Sequence, residues 1–100
     1  MSDLRAISPS ELKARLDRGD TPCIIDVRED EEVAAGMIPG AKHIALGELP
    51  GRCQEIPKDC EVILVCRSGN RSGKAYAYLE SLGYRNTVNM TGGMTAWSQL

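Results

Sequence analysis

The apolar residues fall into short runs divided by charged or glycine-containing segments. Ser8-Pro9-Ser10-Glu11 reads as a capping box with proline in the first turn, and Leu12 and Leu16 recur four apart before Gly19. This predicts a first helix of about ten residues. Cys23-Ile24-Ile25-Asp26-Val27 is a β-branched run bounded by Pro22 and a charged cluster, as expected of a strand covered on both faces. The segment from Glu29 to Ala35 is acidic at its start and stops at Gly36, which predicts a two-turn helix whose acids face its dipole. Ile38-Pro39-Gly40 forces a turn. His43-Ile44-Ala45 predicts a brief strand, and the stretch from Gly47 to Ile56, interrupted by Pro50 and Gly51, predicts irregular helix.

Glu61-Val62-Ile63-Leu64-Val65-Cys66 is the strongest strand signal in the chain. Ala75, Leu79 and Leu82 then recur at helical spacing before Gly83. Thr87 to Met90 predicts another strand, and Gly92-Gly93 leads into a last helix with Met94 and Trp97 three apart. Strands alternating with helices through short connections indicate an α/β fold: a largely parallel sheet with helices on both faces. Such sheets place their sites at the carboxyl ends of strands.

The chain has 100 residues, too few to divide between two cores, so residues 1–100 are expected to form one domain. Hydrophobic residues make up 42% with only four aromatics, so the interior must rest on Val, Ile, Leu, Ala and Met. Twelve basic and 14 acidic residues are mixed along the chain with no run of five like charges, which speaks against nucleic acid or an acidic membrane surface as partner. The first twenty residues carry charges throughout and hold no apolar stretch of signal or spanning length, making a cytoplasmic location the default. Cys23, Cys53, Cys60 and Cys66 include no C-x-x-C pair, and the single histidine, His43, lies apart from them, so no metal site is expected. Reduced thiols are expected rather than bridges.

Cys66 closes the best strand and enters the loop Arg67-Ser68-Gly69-Asn70-Arg71-Ser72. A cysteine there meets loop N–H groups, the positive end of a helix and nearby guanidinium groups, each favouring thiolate over thiol. Gly69 lets consecutive amides turn inward as an anion-binding nest. The alternative, an ordinary buried strand cysteine, fits poorly beside two arginines, a glycine, two serines and an asparagine. His43 reads as a surface or hydrogen-bonded histidine at a strand end.

The loop from Cys66 to Ser72 resembles the active-site loop of the rhodanese family. Ile25-Asp26-Val27-Arg28-Glu29 is similar to the family's first block, Gly36-Met37-Ile38-Pro39-Gly40-Ala41 to its second, and Gly92-Gly93-Met94-Thr95-Ala96-Trp97 to its closing block. The four blocks stand in family order and spacing. Met37 departs from the histidine often found at that place. The resemblance implies a parallel five-stranded sheet and a sulfurtransferase that carries sulfane sulfur as a persulfide on Cys66. It implies that the backbone from Arg67 through Ser68, Gly69 and Asn70 to Arg71 surrounds that sulfur, that Arg67 and Arg71 contact the donor, and that Asp26 and Arg28 brace the loops. Thiosulfate or a persulfide would be the donor, a thiol or cyanide the acceptor, with a protein persulfide as another candidate partner and no cofactor.

Three other readings are weighed against this one. Phosphatases and arsenate reductases on the same fold use a cysteine and an arginine across a longer loop, whereas Cys66 and Arg71 enclose four residues. Gly69 to Lys74 has three residues between its glycines and Ala75 after the lysine, which excludes a nucleotide-binding P-loop. Rhodanese-like interaction modules usually lack the cysteine.

Overall fold

The computed structural model describes residues 5–100. Five strands, β1 (Ala6–Ile7), β2 (Cys23–Asp26), β3 (Lys42–His43), β4 (Val62–Val65) and β5 (Thr87–Met90), form one sheet in the order β1-β5-β4-β2-β3. Every neighbouring pair is parallel. The α-helices are α1 (Pro9–Asp17), α2 (Asp30–Val33), α3 (Leu49–Arg52), α4 (Asn70–Ser81) and α5 (Gly93–Trp97).

Because side chains alternate across a strand, each central strand feeds two cores. Ile25, Val62, Leu64 and Cys66 point to one side, where they pack with Leu49 of α3 and with Ala75, Tyr76 and Leu79 of α4. Ile24, Ile63 and Val65 point to the other, against Leu12 and Leu16 of α1 and Met94 and Trp97 of α5. A sheet covered on both faces has no solvated side for polar alternation to mark, which explains the unbroken apolar run through β4.

The first helix is capped as its sequence predicts. Glu11 N–H donates to Ser8 Oγ at 3.1 Å while Ser8 N–H donates to Glu11 Oε1 at the same distance. Elsewhere the boundaries shift. The helix after β2 makes one turn instead of two: the backbone tightens beyond it, Ala35 N–H donating to Glu32 O (3.2 Å) and Gly36 N–H to Val33 O (3.0 Å), three residues back, while the Arg28 guanidinium takes the Glu32 (3.3 Å) and Gly36 (2.7 Å) carbonyls from the side. The brief strand at 43–45 begins and ends earlier as a ladder pair, although Ile44 N–H still donates to Asp26 O at 3.0 Å. The irregular stretch is α3 flanked by two 3₁₀ turns, Leu46–Glu48 and Cys53–Glu55.

Sheet order also fixes where a site can form. From β2 the chain runs outward to β3, and from β4 it runs the opposite way to β5, so a crevice opens between the carboxyl ends of β2 and β4. The segments leaving those two strands begin at Val27 and Cys66.

Candidate active site

Cys66 follows directly on β4, and the chain turns through residues 67–69 into α4. The turn depends on Gly69, whose φ of 102° lies in the left-handed region that a side chain would strain. In that conformation Gly69 N–H donates to Cys66 Sγ at 2.9 Å, and Gly69 O accepts from Gly73 N–H (3.1 Å) and Ser72 Oγ (3.1 Å). The sulfur therefore sits inside a ring closed by the first turn of a twelve-residue helix, at the positive end of its dipole.

Cys66 is only 1% exposed. Burial by itself would push the thiol up. Hydrogen bonds from the Ser72 hydroxyl and from the amides of Ser72, Gly69 and Ser68 outweigh it and hold the thiol below its ordinary value. The other thiols move the opposite way where a shift is resolved: burial raises Cys23, and desolvation with the Asp59 carboxylate raises Cys60. All four cysteines are unbridged.

The loop is anchored from behind. Met94 N–H donates to Cys66 O at 2.8 Å and Thr95 N–H to Arg67 O at 2.9 Å, so two amides of α5 that the helix leaves free hold the backbone of the ring. This approach requires glycine at position 93, where φ is 57° and an added Cβ would stand 2.4 Å from Cys66 O and 2.5 Å from Arg67 C and O. Both neighbours are backbone. We expect Gly93→Ala to displace the ring by about an ångström and to lower the rate of the reaction carried by Cys66 by roughly a hundredfold. Steady-state rates beside far-ultraviolet circular dichroism check this; a folded variant of undiminished rate would show that α5 does not set the ring.

The two arginines of the loop occupy different surroundings. Arg71 spans the crevice to α2 and forms a two-pronged ion pair with Glu32, Nη1 to Oε1 at 2.6 Å and Nη2 to Oε2 at 2.7 Å. The Arg71 guanidinium holds the Glu32 carboxyl down at about 2. Arg67 is exposed and lies with Met37, Met94 and Trp97 along a groove of about 440 Å³. Ser68 and Asn70 are exposed on the loop surface.

Asp26 and Arg28 form a buried pair under the crevice. Arg28 Nη2 donates to Asp26 Oδ2 at 2.7 Å and Nε to Oδ1 at 2.9 Å, and the Arg28 amide also donates to Oδ1 at 3.0 Å. With its bonds to the carbonyls of Glu32 and Gly36, Arg28 fixes the segment that carries Glu32 toward the loop. His43 Nε2 lies 2.6 Å from Arg28 O, and its Nδ1 lies 3.7 Å from Asp30 Oδ1.

Three residues of this constellation are not singled out by the sequence. Glu32 reads there only as an acid in a first helical turn, and nothing local links it to Arg71. Ser72 closes the loop block but gains its place from the left-handed turn at Gly69. Asn89 is buried on β5 and accepts a hydrogen bond from Ser72 Oγ at its Oδ1. A lone amide in a β-branched strand is the one signal that points to it.

Residues 8–100 match the family model of the rhodanese-like domain. The chain belongs to the rhodanese-like family. A putative sulfurtransferase of Bacillus subtilis, YtwF, is 45% identical over 95% of this chain and 91% of its own length. The thiosulfate sulfurtransferase GlpE of Pseudomonas entomophila is 32% identical over 97% of this chain and 87% of its own. The crystal structure of a rhodanese-like domain protein from Staphylococcus aureus superposes with a TM-score of 0.89 at 40% identity, covering 94% of this chain and 91% of that one. The parallel five-stranded sheet flanked by helices is thus the family's fold, and sulfur transfer is the family-level activity of its named relatives. Among the described residues, no helix of this rhodanese-like domain is long and apolar enough to cross a membrane.

Proposed function

We propose that this rhodanese-like domain transfers sulfane sulfur through a persulfide on Cys66. In the first step the thiolate Sγ attacks the outer sulfur of thiosulfate; a sulfur–sulfur bond forms to Cys66, and the bond to the sulfonate sulfur breaks with its electron pair, releasing sulfite. In the second a thiophilic acceptor, cyanide or a thiolate, attacks the outer sulfur of the persulfide, and the Cys66 thiolate leaves. The amides of residues 67–71 receive the negative charge as it passes to the added sulfur. The observation that carries this reading is the amide of Gly69 donating to Sγ at 2.9 Å in a ring that favours the thiolate. That the relative GlpE is a thiosulfate sulfurtransferase supports thiosulfate as donor. A reducing, cytoplasmic setting suits a site that works as a free thiolate, and residues 1–100 acting as one domain suits a site completed by α2, α4 and α5 together.

We read Arg67 as the cation that receives the donor's sulfonate, since Arg71 already gives both terminal guanidinium nitrogens, Nη1 and Nη2, to Glu32. The same pairing argues against phosphoryl transfer, which needs an arginine fork free to grip the equatorial oxygens. Thiosulfate:cyanide transfer and aryl-phosphate hydrolysis, measured side by side, decide between the two. We expect transfer alone; hydrolysis exceeding transfer would overturn the assignment.

The ion pair also carries a consequence for the donor. Replacing Glu32 with glutamine removes a negative charge beside the path of an anion and loosens Arg71 toward it. We expect the apparent KM for thiosulfate to fall by about fivefold, the scale of a partly exposed pair, with little change for a neutral acceptor thiol. Initial rates over a thiosulfate series check this, and an unchanged or raised KM would show that Glu32 keeps Arg71 in a productive position.

A further inference from the structure

On the buried side of the Cys66 ring the Ser72 hydroxyl has one hydrogen and three acceptors within reach of it. Ser72 Oγ lies 3.4 Å from Cys66 Sγ and 3.1 Å from Gly69 O, and it is also hydrogen-bonded to Asn89 Oδ1. A hydroxyl carries a single hydrogen. Ser72 is fully buried and Asn89 is 6% exposed, so bulk water does not settle the competition. Both are held in place, Ser72 on the first turn of α4 and Asn89 in the ladder of β5, where its amide donates to Arg5 O at 2.9 Å.

The arrangement differs between the two forms of Cys66. With a thiol, S–H donates to Ser72 Oγ, and the Ser72 hydrogen passes on to Asn89 Oδ1, a continuous relay from sulfur to amide. A thiolate has no hydrogen to give and becomes an acceptor. Ser72 O–H then turns to Sγ, and its vacated lone pair would face Asn89 Oδ1, two buried acceptors without a hydrogen between them. Rotation of the carboxamide about its terminal torsion replaces Oδ1 with Nδ2–H and restores the bond. Asparagine can both accept and donate at this point, whereas a carboxylate or an aliphatic side chain cannot do both.

We propose that Asn89 is a positioning residue for sulfur transfer, acting through Ser72: its carboxamide directs the Ser72 hydrogen and thereby sets the balance between thiol and thiolate at Cys66. This rests on the reading of Cys66 as the sulfur-carrying nucleophile, but it concerns the proton on that sulfur and is measurable without any transfer. The charged groups around Cys66 are few. Arg71 of α4 faces it, with its charge opposed by Glu32 of α2, and Arg67 follows it in the loop. From β5 the facing group is the neutral Asn89, and α5 contributes backbone amides. A neutral amide can therefore tilt the balance without being overridden.

The test is the titration of Cys66 in the full chain, followed by thiolate absorbance in a background carrying Cys23→Ser, Cys53→Ser and Cys60→Ser. Asn89→Leu removes both roles of the carboxamide, but in the thiol form Gly69 O, 3.1 Å away, still takes the Ser72 hydrogen, whereas in the thiolate form the donor to Ser72 Oγ is lost; we expect the thiolate fraction at neutral pH to fall about fivefold, the scale of one hydrogen bond. Asn89→Asp, which keeps the shape and holds the Ser72 hydrogen permanently, should lower it further. Combining Asn89→Leu with Ser72→Ala should leave the midpoint of Ser72→Ala unchanged, because the path from position 89 to the sulfur is then missing. A midpoint unaffected by either Asn89 variant, or an Asn89→Leu shift that persists in full without Ser72, would overturn the proposal. Should Asn89→Leu fail to fold, Asn89→Asp decides alone, with an unmoved midpoint counting against it. Failure of sulfur transfer in the unmodified protein would strike the functional reading and leave these midpoints interpretable.

Discussion

Cys66→Ser is expected to reduce thiosulfate:cyanide transfer to the level of the uncatalysed reaction while the fold persists. Serine replaces the sulfur with a hydroxyl that still accepts from Gly69 N–H and still sits beside Ser72 Oγ, so the ring keeps its hydrogen bonds. The chemistry is lost for a different reason. A serine hydroxyl is far more basic than a thiol and carries almost no anion at neutral pH, so the ring has nothing ionised to stabilise, and no sulfur–sulfur bond can form. The remaining cysteines cannot substitute. Burial holds Cys23 as a thiol, Cys60 is raised by desolvation and by Asp59, and Cys53 has a backbone carbonyl, Pro50 O, as its hydrogen-bond acceptor. Steady-state transfer assays on the variant, with circular dichroism to confirm folding, check the expectation. A folded Cys66→Ser protein of undiminished rate would remove Cys66 from the reaction.

The largest loss of stability is expected from Asp26→Ala. The carboxylate is buried and receives three donors of Arg28, its amide, Nε and Nη2, while Arg28 is itself 6% exposed. Removing the acid leaves a guanidinium with only the carbonyls of Glu32 and Gly36 as partners, and breaking such a buried pair costs about 3–5 kcal/mol. Domains of this size are stable by roughly 5–15 kcal/mol, so the variant should lie close to unfolding. The midpoint of urea denaturation measures it. Because Arg28 holds the segment bearing Glu32, loosening it should also free Arg71 before global unfolding. A shift below about 1 kcal/mol, the range of an exposed pair, would show that the pair braces nothing.

The sequence discloses those parts of this fold whose causes are local. The capping box at Ser8, the apolar run of β4 and the glycine at position 69 each act within a few residues, and each marks its element where it stands. The strand β1 is different: Ala6–Ile7 has no period to read, and it becomes a strand only because β5 supplies its partners at Asn89 and Met90. The short length of α2 is likewise unannounced, since the chain tightens to bonds three residues back, Ala35 N–H to Glu32 O and Gly36 N–H to Val33 O, with no breaker before Gly36.

The site divides along the same line. Cys66 is legible because a cysteine at the end of a buried strand, ahead of a glycine-bearing polar loop, has few other reasons to be there. The separate surroundings of Arg67 and Arg71 are not legible, because the resemblance assigns both to the donor and only the crevice between β2 and β4 brings Glu32, 39 residues earlier, against Arg71. Gly93 likewise stands in a recognisable block, yet its reason is a backbone contact with residues 66 and 67 that exists only once α5 has packed.

Sulfur loading of the intact protein tests the account most directly. The rhodanese-like domain is mixed with thiosulfate, freed of excess donor and weighed by intact-mass spectrometry, then exposed to cyanide and weighed again, with peptide mapping to locate any added mass. The account predicts a gain of one sulfur atom on Cys66, released by cyanide in equal amount as thiocyanate. No gain in mass, or a gain carried by Cys23, Cys53 or Cys60, would contradict it.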